Sequence, residues 1–171
     1  MLDIETSGLS PETNRITCVG CYCEAGVLIF SGKDEKSLLE DFFLFLASIP
    51  DPLIVSFNGK HFDVPFIVKR VELIGALALV DLNSVRHVDL MQVIYPAYKV
   101  LFGPTSTGRV SKDAISDLLN IYEPRASSAK SCVLIAELES DWTPILQHNA
   151  LDLFTTFKIF KKAVEYGWVH D

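Results

Sequence analysis

The hydrophobic period of this chain changes at Asp34, and that change restricts the fold more than any other feature. Before it, apolar residues alternate; after it, they recur at helical spacing. Met1 to Glu5 reads as a short strand, stopped by the turn-prone segment SGLSPETN. Arg15 to Cys23 and Val27 to Phe30 read as strands joined around Glu24, Ala25 and Gly26, a hairpin with glycine at the turn. From Asp34 onward, Leu38, Leu39, Phe42, Phe43, Leu46 and Ile49 make the inner face of a core helix bounded by Pro50. Leu53 to Phe57 is a buried type of strand ending at Asn58 and Gly59, and Phe62 to Leu73 is the next helix. Antiparallel strands followed by strand and helix in alternation predict an α/β chain, a mixed sheet covered by helices.

The second half is read more coarsely. A strand is expected near Val85 to Val88, a helix from Asp89 to about Leu101, and a surface loop over Gly103 to Gly108. Ser111 caps a helix to Leu119, Tyr122 to Ser131 is a loop, and a last helix runs from Thr143 to Val164. Pro144 suits the first turn of that helix, and Gly167 follows its end. At 171 residues the chain has the size of one well-buried core, so a single domain over 1–171 is expected.

Composition removes some classes of function. No stretch approaches the roughly 20 apolar residues that span a bilayer, and the start MLDIETSG carries acids where a secretory signal needs basic and then apolar residues. A soluble, cytoplasmic protein with no membrane partner is expected. Cys18 and Cys21 have the spacing of a zinc pair, but on a strand they point to opposite faces, with Cys23 beside Cys21. Reduced thiols are therefore expected. The net charge of −7 argues against a uniformly basic nucleic-acid surface. A site that gathers carboxylates around divalent ions escapes that argument, because the bound ions invert the local sign. Lys99, Arg109, Lys112, Arg125 and Lys130 also give the later segment a mild basic excess.

Three clusters could carry chemistry. Asp3 and Glu5, one residue apart on a strand, leave the same face, and paired hard oxygen ligands suit Mg²⁺ or Mn²⁺. Asp63 stands just beyond a strand end and at the start of a helix, where ligands collect in open α/β sheets; alone it is equally a helix N-terminal charge. His148 and Asp152, at i and i+4, share one face of the last helix, with Thr155 or Thr156 on that face and Leu151, Phe154, Phe157 and Phe160 as the expected core stripe. His61 and His87 lack partners at ligand spacing, and Asp89 is an expected N-cap. Trp142, Trp168, Tyr95 and Tyr98 are read as packing residues rather than base-stacking ones.

DIETSGL at Asp3 to Leu9, FNGKHFDVPF at Phe57 to Phe66 and HNALD at His148 to Asp152, in that order, resemble the three exonuclease motifs of the DEDD superfamily. Within it they are most similar to ribonuclease H-like nucleases related to the proofreading domain of family B DNA polymerases. The resemblance implies a five-stranded mixed sheet, three antiparallel strands and then parallel ones, flanked by helices. It implies Asp3, Glu5, Asp63 and Asp152 as ligands for two Mg²⁺ or Mn²⁺ ions, and His148 as the residue that positions or deprotonates the attacking water. Thr6, Gly8 and Leu9 would lie beside the 3′-terminal nucleotide, with Asn58 and Phe62 on the other side of its sugar. Lys60 and Lys112 are candidate phosphate contacts. Two ions about 3.5–4 Å apart activate a water and stabilise the leaving oxygen, so no nucleophilic side chain is needed.

The resulting expectation is a 3′-5′ exonuclease on the 3′ end of single-stranded DNA, with RNA as an alternative substrate, releasing nucleoside monophosphates. Two features motivate a second reading, a catalytically weak nucleic-acid-binding module of the same fold. The first strand is short, and His148 combines the HxxxD spacing of the tyrosine-bearing branch with the residue of the histidine-bearing one. Endonucleolytic cutting by the same chemistry is a third expectation.

Overall fold

Alternating apolar residues build the first sheet. In this computed structural model, which describes residues 1–121, 128–139 and 141–169, strands β1 (Leu2–Thr6), β2 (Ile16–Cys23) and β3 (Gly26–Ser31) pair antiparallel in that order. The hairpin turns at Gly26, whose φ of 107° is one that a residue without Cβ adopts freely. Helix α1 (Glu35–Ala47) starts on the Asp34 cap, whose side chain accepts from the Lys36 and Ser37 amides. Strand β4 (Leu53–Ser56), helix α2 (Asp63–Ile74) and strand β5 (Arg86–Asp89) follow, with β4 and β5 parallel. Helices α3 (Leu90–Phe102), α4 (Lys112–Leu118), α5 (Ala129–Glu139) and α6 (Thr143–Glu165) complete the described elements.

The faces of the first sheet divide the molecule. Leu2, Ile4, Val19 and Cys21 pack with Leu39, Phe42, Phe43 and Ile67 from α1 and α2. On the opposite face, Cys18 packs with Cys132 and Ala136 of α5 and Ile145 of α6. Cys18 and Cys21 thus serve different cores, as strand alternation requires, and burial pushes both thiols up, that of Cys21 to about 12. Asp3 and Glu5 sit opposite Gly20 and Cys18, so their carboxylates leave on the α5 and α6 side. A third cluster joins Val55, Leu90, Ile94, Ile115 and Ile159 across β4, α3, α4 and α6.

Three expectations need correction. The five strands do not form one hydrogen-bonded sheet: the ladders are β1-β2-β3 and β4-β5. Met1 and Tyr22 exchange both backbone bonds, so the Leu2 and Ile4 amides point away from β2. The Ile4 amide is donated to Asp63 Oδ1 at 3.0 Å, so on that edge a carboxylate takes what a strand carbonyl would otherwise accept. Next, the expected loop from Tyr122 to Ser131 ends early, because α5 begins at Ala129; residues 122–127, including Arg125, lie outside the described residues. Finally, the core stripe of α6 is Ile145, Asn149, Leu153, Thr156, Ile159 and Ala163. Phe154 is 40% exposed, and with Phe157 it lies against the Tyr22 ring. Gly20 explains the rotation, since without a Cβ it lets the Asn149 and Leu153 side of α6 settle on β2.

Glu35 and Arg70 tie the loop between β1 and β2 to the rest. Arg70 Nη2 lies 2.6 Å from Glu35 Oε2, both side chains nearly buried, while Glu35 Oε1 accepts from the Ile16 amide and Arg70 Nη1 donates to the Pro11 carbonyl. Removing one partner of such a pair strands a buried charge. Arg70→Met is therefore expected to lower folding stability by about 3–5 kcal/mol, read by equilibrium urea unfolding. A loss below about 1 kcal/mol would show that the pair is as weak as a surface bridge.

Candidate active site

The carboxylates reach one place from three elements. Asp3 and Glu5 come from β1, Asp63 from the first position of α2, and Asp152 from α6. They line a cavity of about 790 Å³ together with Thr6, Gly8, Leu9, Asn58, Phe62 and His148. His148 Nε2 stands 3.6 Å from Glu5 Oε1, and its Nδ1 is buried with no hydrogen-bond partner. Asn58 takes a left-handed φ of 67°, and its Oδ1 is likewise buried and unpartnered.

The second motif is held open by its neighbours. Asp89, buried at the end of β5, caps α3 through the Met91 amide and also accepts from the amides of Asn58 and Lys60 at 2.8 and 3.0 Å. Ser56 accepts from the Gly59 amide and shares a 2.7 Å hydrogen bond with His87. The turn from β4 into α2 is thereby fixed, and Asp63 enters the helix with its carboxylate toward β1. Lys60 stands apart from the cavity lining: its amide is on Asp89 and its side chain is exposed. His61 contacts Gln92 at the surface. Trp142, Trp168, Tyr95 and Tyr98 pack against the cores.

Lys112 has a place that its sequence position did not announce. Ser111 caps α4, Ile115 is fully buried beneath it, and the Lys112 ammonium comes to 3.2 Å from Asp3 Oδ1 and 2.8 Å from Asp152 Oδ2. Burial alone would lower its pKa; Asp3 and Asp152 outweigh that and hold it above the usual lysine value. One ammonium does not balance four carboxylates. Burial, and then the neighbouring carboxylates, push Glu5 to about 9 and Asp63 to about 8. Asp3 is raised as well, first by burial, against the opposing pull of Lys112.

These residues fit a cation. An ammonium already bridges two of the acids, the others are short of positive charge, and oxygen donors of this kind suit hard divalent ions. Asp3, Glu5, Asp63 and Asp152 would hold such ions. As the side chains stand, no group of three or more His, Cys, Asp or Glu among the described residues is already closed into a coordination shell.

Four of the lining residues come from α5, which sequence reasoning missed: Ala129, Lys130, Val133 and Leu134 line the same cavity as Leu9 and Phe62. Leu9 is 85% exposed and Leu134 55%, so the cavity has an apolar rim above an acidic floor. Asn149, inside the third motif, was also passed over. Its only sequence signal is its helical spacing, three residues before Asp152.

A family model described as the RNase_H superfamily matches residues 1–164. The chain is 27% identical over 129 residues to the DNA polymerase catalytic subunit of Murid herpesvirus 1, a match covering 74% of this chain and 12% of that protein. It is 40% identical over 47 residues to the catalytic subunit of DNA polymerase epsilon from Eremothecium gossypii, covering 28% of this chain and 2% of that one. The chain thus spans a small part of each polymerase. In structure it is similar to the family B DNA polymerase from the hyperthermophilic archaeon Pyrobaculum calidifontis, with a TM-score of 0.76 at 16% identity, covering 98% of this chain and 24% of that one. At that identity the likeness concerns the fold, and the fold is α/β of the ribonuclease H type. No helix among the described residues is long and apolar enough to cross a membrane. From the family match over nearly its whole length, the chain belongs to the RNase_H superfamily.

Proposed function

We propose that this chain is a divalent-metal-dependent 3′-5′ exonuclease that hydrolyses phosphodiester bonds at the 3′ end of single-stranded DNA and releases nucleoside monophosphates. The observation that carries the reading is the convergence of Asp3, Glu5, Asp63 and Asp152 on one cavity large enough for a nucleotide. The family supports nuclease chemistry, and the similarity to polymerases supports a DNA substrate. RNA is the alternative substrate in the same cleft.

Each wall has a task in this reading. Leu9, Phe62 and Leu134 offer apolar surface to the terminal base. Asn58 lines the cavity beside Phe62, on the side proposed to take the terminal sugar. The carboxylates bind Mg²⁺ or Mn²⁺, which supply water activation and charge neutralisation at the scissile phosphate. His148 stands next to Glu5 on the cavity wall, where an imidazole can take the proton of the attacking water. Lys112 holds Asp3 and Asp152 together from below.

One observation favours a second reading. The Lys112 ammonium already satisfies two of the four acids, which suits a metal-free module that binds single strands without cutting them. Mn²⁺ binding measured by calorimetry separates the two: the enzyme takes up ions, and the module takes up none at millimolar concentration.

With a 5′-labelled single-stranded oligonucleotide and Mg²⁺ or Mn²⁺, the chain is expected to shorten the strand from its 3′ end and release mononucleotides. Asp3→Ala and Asp152→Ala are expected to lose more than the roughly 10- to 100-fold that removal of an outer-shell partner costs. Undiminished activity in either variant refutes the assignment, and early long fragments would mean internal cutting.

Metal-free stability should also depend on pH in a particular direction. The raised values of Glu5 and Asp63 mean that the folded chain binds protons the unfolded chain has already released. Their contribution is fully present below the ordinary values of 4.5 and 3.8, and it is lost as pH rises toward about 9 and about 8. Thermal unfolding with chelator should show a midpoint falling across that window. Added Mn²⁺ should raise the midpoint more at its alkaline end, because bound metal displaces those protons. A midpoint independent of pH across the window would contradict this account.

A further inference from the structure

Asn149 lies on the inward face of α6, one turn after Ile145 in the buried stripe, and is fully buried. Its Nδ2 donates to Asp3 Oδ2 at 3.0 Å and to the Asp3 carbonyl at 3.3 Å. One side-chain amide therefore grips both the main chain and the carboxylate of the same residue. The other Asp3 oxygen, Oδ1, accepts from Lys112. The plane of the Asp3 carboxylate is thus set between donors from two separate helices, α4 and α6.

The opposite end of the Asn149 amide is unsatisfied. Its Oδ1 is buried without a hydrogen-bond partner, against Gly20 on β2. Exchanging the oxygen and nitrogen positions would turn the acceptor toward the Asp3 carboxylate, which is repulsive, so the orientation is determined by Asp3. A buried acceptor left alone costs stability, and leucine, of similar size, would avoid that cost in the same space. What leucine could not supply is the pair of N–H bonds to Asp3. Gly20 completes the arrangement: a Cβ there would overlap the Asn149 amide oxygen and lie 2.8 Å from Leu153 Cδ1.

We propose that Asn149 is a positioning residue for Asp3, fixing the direction in which that carboxylate faces the divalent ions, and that Gly20 is the vacancy on β2 which admits it. The proposal rests on the metal-dependent reading of the site. An outer-shell partner of this kind orients a ligand without touching the ion, and its loss weakens metal binding while leaving the ligand count unchanged.

The test is Mn²⁺ titration by calorimetry on the full chain, beside thermal unfolding in chelator, for the unmutated protein, Asn149→Leu and Asn149→Ala. Both variants are expected to unfold cooperatively without metal and to bind Mn²⁺ about 10- to 100-fold more weakly. Where Leu disturbs folding, Ala decides, since it adds no atom to the core. A purely packing role would shift the unfolding midpoint and leave the affinity for Mn²⁺ in place, and that result overturns the positioning role while the nuclease reading survives. Absence of Mn²⁺ binding in the unmutated protein overturns both.

Discussion

Like charges brought together out of water repel, and the site is organised around that repulsion. Four carboxylates meet beneath α6 with a single ammonium among them. The acids nearest the core respond by retaining protons, and the remaining imbalance is what a bound cation would relieve. The scaffold tolerates this because the acids are borne on separately anchored elements. β1 is locked to β2, α2 is set by the clamped turn that follows β4, and α6 spans two of the three apolar clusters. No one element carries the whole electrostatic load.

The acids also contribute to the architecture. Asp63 bridges from the start of α2 to the backbone of β1, across the gap between the two ladders. Asp89 gathers the amides of Asn58, Lys60 and Met91 onto one carboxylate. Polar groups thus make connections that strand pairing makes elsewhere in the fold.

Much of this was legible in the chain. The shift from alternating to helical periodicity at Asp34 located β2, β3 and α1, because those elements present one clean apolar face each; the capping role of Asp34 emerged only in the folded chain. Asp3, Glu5, Asp63, His148 and Asp152 were legible as clusters, and the folded chain brings them to one cavity. The core face of α6 was misjudged because periodicity follows large apolar residues, and this helix turns Asn149 and Thr156 inward while leaving Phe154 half outside. Helix α5 was hidden by its serine-rich start at Ser128 and Ser131, which reads as loop. Lys112 left no trace of its partners, since a lone lysine has no spacing to read; the Ser111 cap and the burial of Ile115 orient α4 in the folded chain, with the ammonium on Asp3 and Asp152.

The tether through Arg70 has a bearing on how the cleft is used. Arg70 belongs to α2, whose first residue is Asp63, and it grips the carbonyl of Pro11 in the loop that also carries Leu9. The rim that carries Leu9 and one of the acids at the cavity floor are therefore strapped to a common strut. The entropy of aligning them is surrendered when the polypeptide folds, so that a strand end bound as proposed would meet two parts of its berth already in register.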